Sequence, residues 1–258
     1  MEIILKIIKA GLLTFVISFL FSCKKDEGVG TVDIAKVNVI NAVVDGGNVK
    51  VNVGTRTIPW VNINDNQILG GSNTLSRLYI APTASSTYLQ VVQAIDTTKF
   101  WYNQQKQLGA NKMYTLYLSG TPANVKTSFH EETNFPKYIL RDAGRPTPVT
   151  DSIVNIRFVN LSPSGPKVDI NIRGNTVNEV SGLSYEAFTD FKAYPAPNNV
   201  SSIVFEIRNS TNKELLATFS PAITSVRFKS IAIVMLGIYP GTALPSIDTY
   251  RIASVAYQ

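Results

Sequence analysis

Val49-Lys50-Val51-Asn52-Val53 decides how this chain is read, because Val168-Asp169-Ile170-Asn171-Ile172 repeats its pattern 119 residues later. In both stretches apolar residues alternate with polar ones, and a period of two places the apolar set on one side of a strand and the polar set on the other. Such a strand keeps one face dry and one face wet. That is what a sheet packed on a second sheet requires.

Outward from these two stretches, Val37-Asn38-Val39-Ile40-Asn41 lies over Ile156-Arg157-Phe158-Val159-Asn160 at the same offset. The turns that follow, Asp45-Gly46-Gly47-Asn48 and Pro163-Ser164-Gly165-Pro166, are rich in residues that break regular structure. Ala81-Pro82 matches Ala196-Pro197, and Leu89 to Val92 matches Val204 to Ile207, now at an offset of 115. The chain reads as a tandem duplication whose repeat is the size of one sandwich domain and far too long for a solenoid. The expected fold is all-β, with two tandem antiparallel β-sandwich domains at 32–140 and 151–258 and a proline-containing linker at 141–150. Ile231 to Leu236, apolar at every position, is expected to be a central strand covered on both faces.

The second copy resembles the bacterial domain-of-unknown-function family 4397. The likeness is carried by Arg157-Phe158-Val159-Asn160-Leu161-Ser162-Pro163, by Val168-Asp169-Ile170-Asn171-Ile172-Arg173-Gly174 and by Gly182-Leu183-Ser184-Tyr185. The first copy keeps Asn41 and the Val49 to Val53 strand, has Val43-Val44 in place of Ser-Pro, and recovers a late family strand in Leu108-Gly109-Ala110-Asn111-Lys112-Met113-Tyr114-Thr115. The resemblance implies immunoglobulin-like sandwiches and a cell-envelope setting. It implies no activity and no catalytic residues.

At the start of the chain, Lys6 and Lys9 precede a charge-free run from Ala10 to Ser22. As a helix this run is too short to cross a bilayer core of about 30 Å. It ends at the only cysteine, and Leu20-Phe21-Ser22-Cys23 resembles a bacterial lipobox. That resemblance implies a lipoprotein signal peptide at 1–22, removed on maturation, with lipid attached at Cys23 and a tether at 23–31. Two or three acyl chains anchor stably where one does not. Lys24-Lys25-Asp26-Glu27 resembles the surface-export tag of Bacteroidetes lipoproteins, which places the expected protein in the outer membrane with surface exposure. The expected partner is therefore the membrane, through lipidated Cys23, together with a glycan or an envelope protein. The net charge of +6 is scattered along the chain rather than gathered in blocks, so no nucleic-acid surface is expected.

Chemistry needs convergent titratable groups, and the chain has one histidine. His130-Glu131-Glu132 lacks the second histidine of a zinc motif and reads as a solvated polar connection. Asn62, Asn64, Asp65 and Asn66 offer oxygen ligands with a single charge among them, so they read as an Asn-rich turn rather than a calcium loop. No metal, cofactor or catalytic residue is expected, and the expected role is non-catalytic: structure, adhesion or ligand binding. Two alternatives stand beside it: a glycan-binding lipoprotein of an outer-membrane uptake system, and a hydrolase marked by a pair of buried carboxylates. The candidate ligand contact is Phe100-Trp101-Tyr102. Strand neighbours alternate faces, so the three rings cannot share one core. Alignment with Glu214-Leu215-Leu216 predicts Trp101 in the core, with Phe100 and Tyr102 sharing the exposed face.

Overall fold

The computed structural model describes residues 33–66, 69, 77–83, 85–133, 152–240 and 249–257. The signal peptide, Cys23, the tether and the linker at 141–150 lie outside these residues. The strands of the first copy are β1 (Ile34–Asn41), β2 (Val49–Gly54), β3 (Asp65–Asn66), β4 (Arg77–Pro82), β5 (Thr87–Gln93), β6 (Asp96–Lys106), β7 (Met113–Thr121) and β8 (Asn124–Glu131). Those of the second are β9 (Ile153–Asn160), β10 (Val168–Ile172), β11 (Asn178–Leu183), β12 (Lys192–Pro195), β13 (Phe205–Asn209), β14 (Leu215–Phe219), β15 (Ser230–Leu236) and β16 (Arg251–Tyr257).

The strand order β4-β1-β7-β8 over β3-β2-β5-β6 in the first copy recurs as β12-β9-β15-β16 over β11-β10-β13-β14 in the second. The duplication is thus complete at the level of topology, and the chain is two tandem β-sandwiches. One pairing in each departs from the antiparallel plan. β1 runs parallel to β7, with Val37 beside Tyr114, and β9 runs parallel to β15, with Ile156 beside Ile231. The connection leaves the first strand for the other sheet and returns after several strands, so the seventh strand can lie beside the first in the same direction.

Alternation builds the cores as the sequence implies. Val37 and Val39 of β1, Val49 and Val51 of β2, Leu89 and Val91 of β5 and Leu116 and Leu118 of β7 fill the first sandwich. Ile156 and Phe158, Val168 and Ile170, Phe205 and Ile207, and Ile231 and Ile233 fill the second. Full burial of each such side chain contributes roughly 1.5–3 kcal/mol. The repeated asparagine has a local reason: Asn41 Oδ1 accepts from the Val43 amide at 3.2 Å, and Asn160 Oδ1 from the Ser162 amide at 3.1 Å, closing the same turn in each copy.

A third apolar cluster joins the copies. Ile40, Ala42 and Tyr117 of the first meet Val159, Leu161, Ala232, Val234, Leu236, Val255 and Tyr257 of the second. The sheets containing β1 and β9 are therefore inner sheets, packed on each other, and those containing β2 and β10 are outer sheets. β15 is buried throughout because Ile231, Ile233 and Met235 point into its own sandwich while Ala232, Val234 and Leu236 point at the other.

Candidate functional site

The aromatic run lies on β6, at the free edge of the first outer sheet. Val91 pairs with Tyr102 and Val92 with Phe100, so Trp101 is the extra residue of a β-bulge. β13 and β14 repeat the bulge: Ile207 pairs with Ala217 and Arg208 with Leu215, leaving Leu216 as the extra residue. Phe100 therefore corresponds to Leu215 rather than to Glu214, and the two are 46% and 45% exposed. The offset for β5 and β13 is likewise one more than the sequence suggests. Val51 faces Val91 where Ile170 faces Ile207, and a slip of one residue would turn every side chain to the wrong face.

The bulge also overturns the predicted sharing of faces. Tyr102 is buried in the first core, 6.4 Å from the Phe129 ring, and donates its hydroxyl to Gln104 Oε1 at 3.3 Å. Burial pushes that hydroxyl up to about 12. Trp101 packs half-buried against the same core. Both point inward because the extra residue absorbs the alternation, and Phe100 alone of the three stays on the outward face.

Phe100 has a different aromatic partner, one that sequence reasoning missed. Trp60, in the 3₁₀ turn Trp60–Asn62 between β2 and β3, meets it edge to face at 6.0 Å and 64°. Ile58 and Val61 of the same loop are exposed beside Trp60 in the chain. Register puts Lys50, Val92 and Phe100 in one cross-strand row, with Asn52, Gln90 and Asn103 in the next. Val92 is fully buried although alternation aims it away from the core, so the outward face is covered at that point. Gln90 Nε2 donates to Asn103 Oδ1 at 3.0 Å. The result is two rings set edge to face beside Asn103, the exposed member of an amide row in which Asn52 and Gln90 are buried.

The loop carrying Trp60 is fastened from below. Lys50 Nζ donates to the Trp60 carbonyl at 3.1 Å and the Ile63 carbonyl at 2.7 Å, and lies 3.5 Å from Asp65. Asn52 Nδ2 donates to the Ile58 carbonyl at 3.2 Å. The ammonium thus holds the carbonyls and the carboxylate that the Asn-rich segment would otherwise turn to a cation.

The second outer sheet carries charge instead. Asp169 is paired with Lys213 at 2.7 Å, and Glu206 with Arg208 at 2.8 Å and Arg173 at 3.3 Å. The Arg208 guanidinium holds the Glu206 carboxyl below the usual carboxylate range. Burial pushes the Asp169 carboxyl up, but the Lys213 ammonium and the Gly182 amide outweigh it and the net shift is downward.

Glu132 is not solvated as its sequence context suggests. It follows β8 at the junction of the inner sheets, where it meets Arg157 through two bonds, Nη2 to Oε2 at 2.8 Å and Nη1 to Oε1 at 3.1 Å, with the side chains 2% and 4% exposed. Thr115 donates to it at 2.7 Å, and the Phe191 ring lies 4.0 Å from the guanidinium. Among the described residues the buried carboxylates are Glu132 and Asp169, in different sandwiches and each bound to a cation, so they form no catalytic pair.

No protein family matches the chain, and no curated protein matches it by sequence. Among solved structures, the family 26 carbohydrate-binding module CBMbc of Eubacterium rectale Amy13K, solved in complex with maltoheptaose, aligns over 84% of this chain and 100% of that one. The identity is 10% and the TM-score 0.22. At that score the likeness carries no argument about ligand.

Proposed function

We propose that this chain is a lipid-anchored protein of the bacterial cell envelope that binds neutral glycan, without catalysis, on the outward face of its first sandwich. The observation that carries this is the exposed Phe100 ring set edge to face against Trp60 beside the Gln90–Asn103 amide pair. A pyranose presents an apolar C–H face, which stacks on an aromatic ring, and a rim of hydroxyls, which amides can both donate to and accept from. Lys50, the cation in the row of Phe100, is not free for an acidic ligand: its ammonium already serves two carbonyls and Asp65.

The anchor rests on the sequence Leu20-Phe21-Ser22-Cys23 after a short charge-free run, and the surface location on Lys24-Lys25-Asp26-Glu27. The copies resemble the 4397 family in the residues quoted above, and the envelope setting which that resemblance implies agrees with the anchor. A Cys23→Ala change should release the protein from the membrane fraction; retention there with no acylation of the wild type would contradict the anchor. The binding role is tested by screening the soluble chain, residues 24–258, on immobilised glycans. Retention on neutral glycans supports it, and retention on acidic glycans only, or on none, contradicts it.

A further inference from the structure

Neither outward residue of mid-β2 meets water as alternation expects, for Asn52 is buried and Lys50 nearly so. An outward-facing lysine at mid-sheet normally extends into water, yet this side chain is largely covered and its ammonium is spent on main-chain carbonyls of one loop. We infer that Lys50 is the positioning residue of the ligand face: it clamps the loop between β2 and β3 onto the outer sheet and so fixes the Trp60 ring against Phe100.

Three observations carry this. The loop's own turn supplies only short-range bonds, the Asn62 amide to the Pro59 carbonyl at 2.9 Å and the Ile63 amide to the Trp60 carbonyl at 3.2 Å, and neither reaches the sheet. The bonds that do reach it come from β2, where Lys50 takes the two ends of the turn, Trp60 and Ile63, and Asn52 takes Ile58. The corresponding residue of the second copy is Asp169, which binds Lys213 and the Gly182 amide and fastens no aromatic loop. The Lys50 bonds are charge-assisted, shielded from water and divergent, so a single ammonium sets both the height and the tilt of the turn. Binding then needs little ordering of the loop, which is the advantage of a preorganised surface.

The inference extends the proposed function, yet it is tested without any ligand. The chain has two tryptophans, Trp60 on the loop and Trp101 against the core, so each can report alone. In a Trp101→Phe background, Lys50→Met should shift Trp60 emission to the red. Trypsin cleavage after the exposed Arg56 should become about ten- to a hundredfold faster, the change in opening expected when charge-assisted hydrogen bonds are lost. In a Trp60→Phe background the same Lys50→Met change should leave Trp101 emission where it was. Asp65→Asn should alter neither signal, because the carbonyl bonds remain. Unchanged Trp60 emission and unchanged Arg56 cleavage in Lys50→Met would overturn the inference, and so would a matching shift at Trp101, which would mean general loosening. If the wild type binds no glycan, the proposed ligand is wrong, while the role of Lys50 still stands or falls on these two signals.

Discussion

Across β2, β5 and β6 the outward positions are Lys50, Asn52, Gln90, Val92 and Phe100; across β10, β13 and β14 the same ladder positions carry Asp169, Asn171, Glu206, Arg208 and Leu215. Both faces keep the bulge and both leave one apolar side chain half exposed at it. In the first a second ring, Trp60, stands against the exposed Phe100, and the ion pair of that row, Lys50–Asp65, is bound into the loop that carries the ring. A neutral ligand laid on the second face would have to strip water from Glu206, Arg208 and Arg173 without replacing their bonds, which costs more than stacking returns. Duplication has preserved the inward alternation that builds a core and released the outward positions, where one copy sets an exposed ring against Trp60 and the other pairs its charges with one another.

The junction between inner sheets offers the largest change that should leave this contrast untouched. Glu132→Gln removes the partner of a buried guanidinium and should cost roughly 3–5 kcal/mol in denaturant unfolding. Glycan affinity of the folded variant should equal that of wild type; a parallel loss would mean that the outward face depends on the junction.

The glycines at matching positions of the two turns, Gly46 and Gly165, sharpen the contrast. A Cβ at Gly46 would lie 2.7 Å from the Trp101 ring and 2.8 Å from Val43, whereas one at Gly165 would lie 2.7 Å from Ser162 Oγ. Gly46→Ala should cost about 1–3 kcal/mol by overpacking and should also weaken binding, since Trp101 precedes Tyr102 at the bulge that aims Phe100. Gly165→Ala should change stability alone, as read by thermal unfolding beside a binding titration. Equal effects on binding would dissolve the distinction.

Acid separates the faces by sign. Asp169 and Glu206 titrate below their ordinary range, so their ion pairs contribute stability that is present above the unfolded carboxylate values of about 4 and lost as pH falls through the lower folded values. The second sandwich should weaken there first, as hydrogen exchange of β10 and β13 would show. The row Asn52, Gln90 and Asn103 does not titrate, so affinity should stay level from pH 5 to 8 within about twofold. The smallest effect is expected from Leu215→Ala, within about 0.5 kcal/mol in stability and none in binding.

The cores were legible because period-two alternation in Val49 to Val53 and Val168 to Ile172 is a local signal. The covering of Ile231 to Leu236 on both sides was legible from a different local signal, an unbroken apolar run. The bulge was not, since an inserted residue reverses the alternation from Trp101 onward while leaving composition unchanged. Phe100 is outward although its alignment with Glu214 is one residue out, and Tyr102 is inward because the bulge shifts it by one step of register. Trp60 was missed because its ring meets Phe100 across 40 residues, a contact that no short pattern encodes. Glu132 looked solvated beside His130 and Glu131 because its partner, Arg157, belongs to the other copy.

Under the proposed function the first outward face alone binds glycan. Calorimetric titration of the soluble chain with the best neutral oligosaccharide from the screen tests it directly, comparing wild type with the Phe100→Ala, Trp60→Ala double variant. The account predicts one site per chain in wild type and a loss of affinity of about a hundredfold or more in the variant, the equivalent of roughly 2.7 kcal/mol of stacking, with thermal stability nearly retained. Two sites per chain, or a double variant that binds as wild type does, would contradict it.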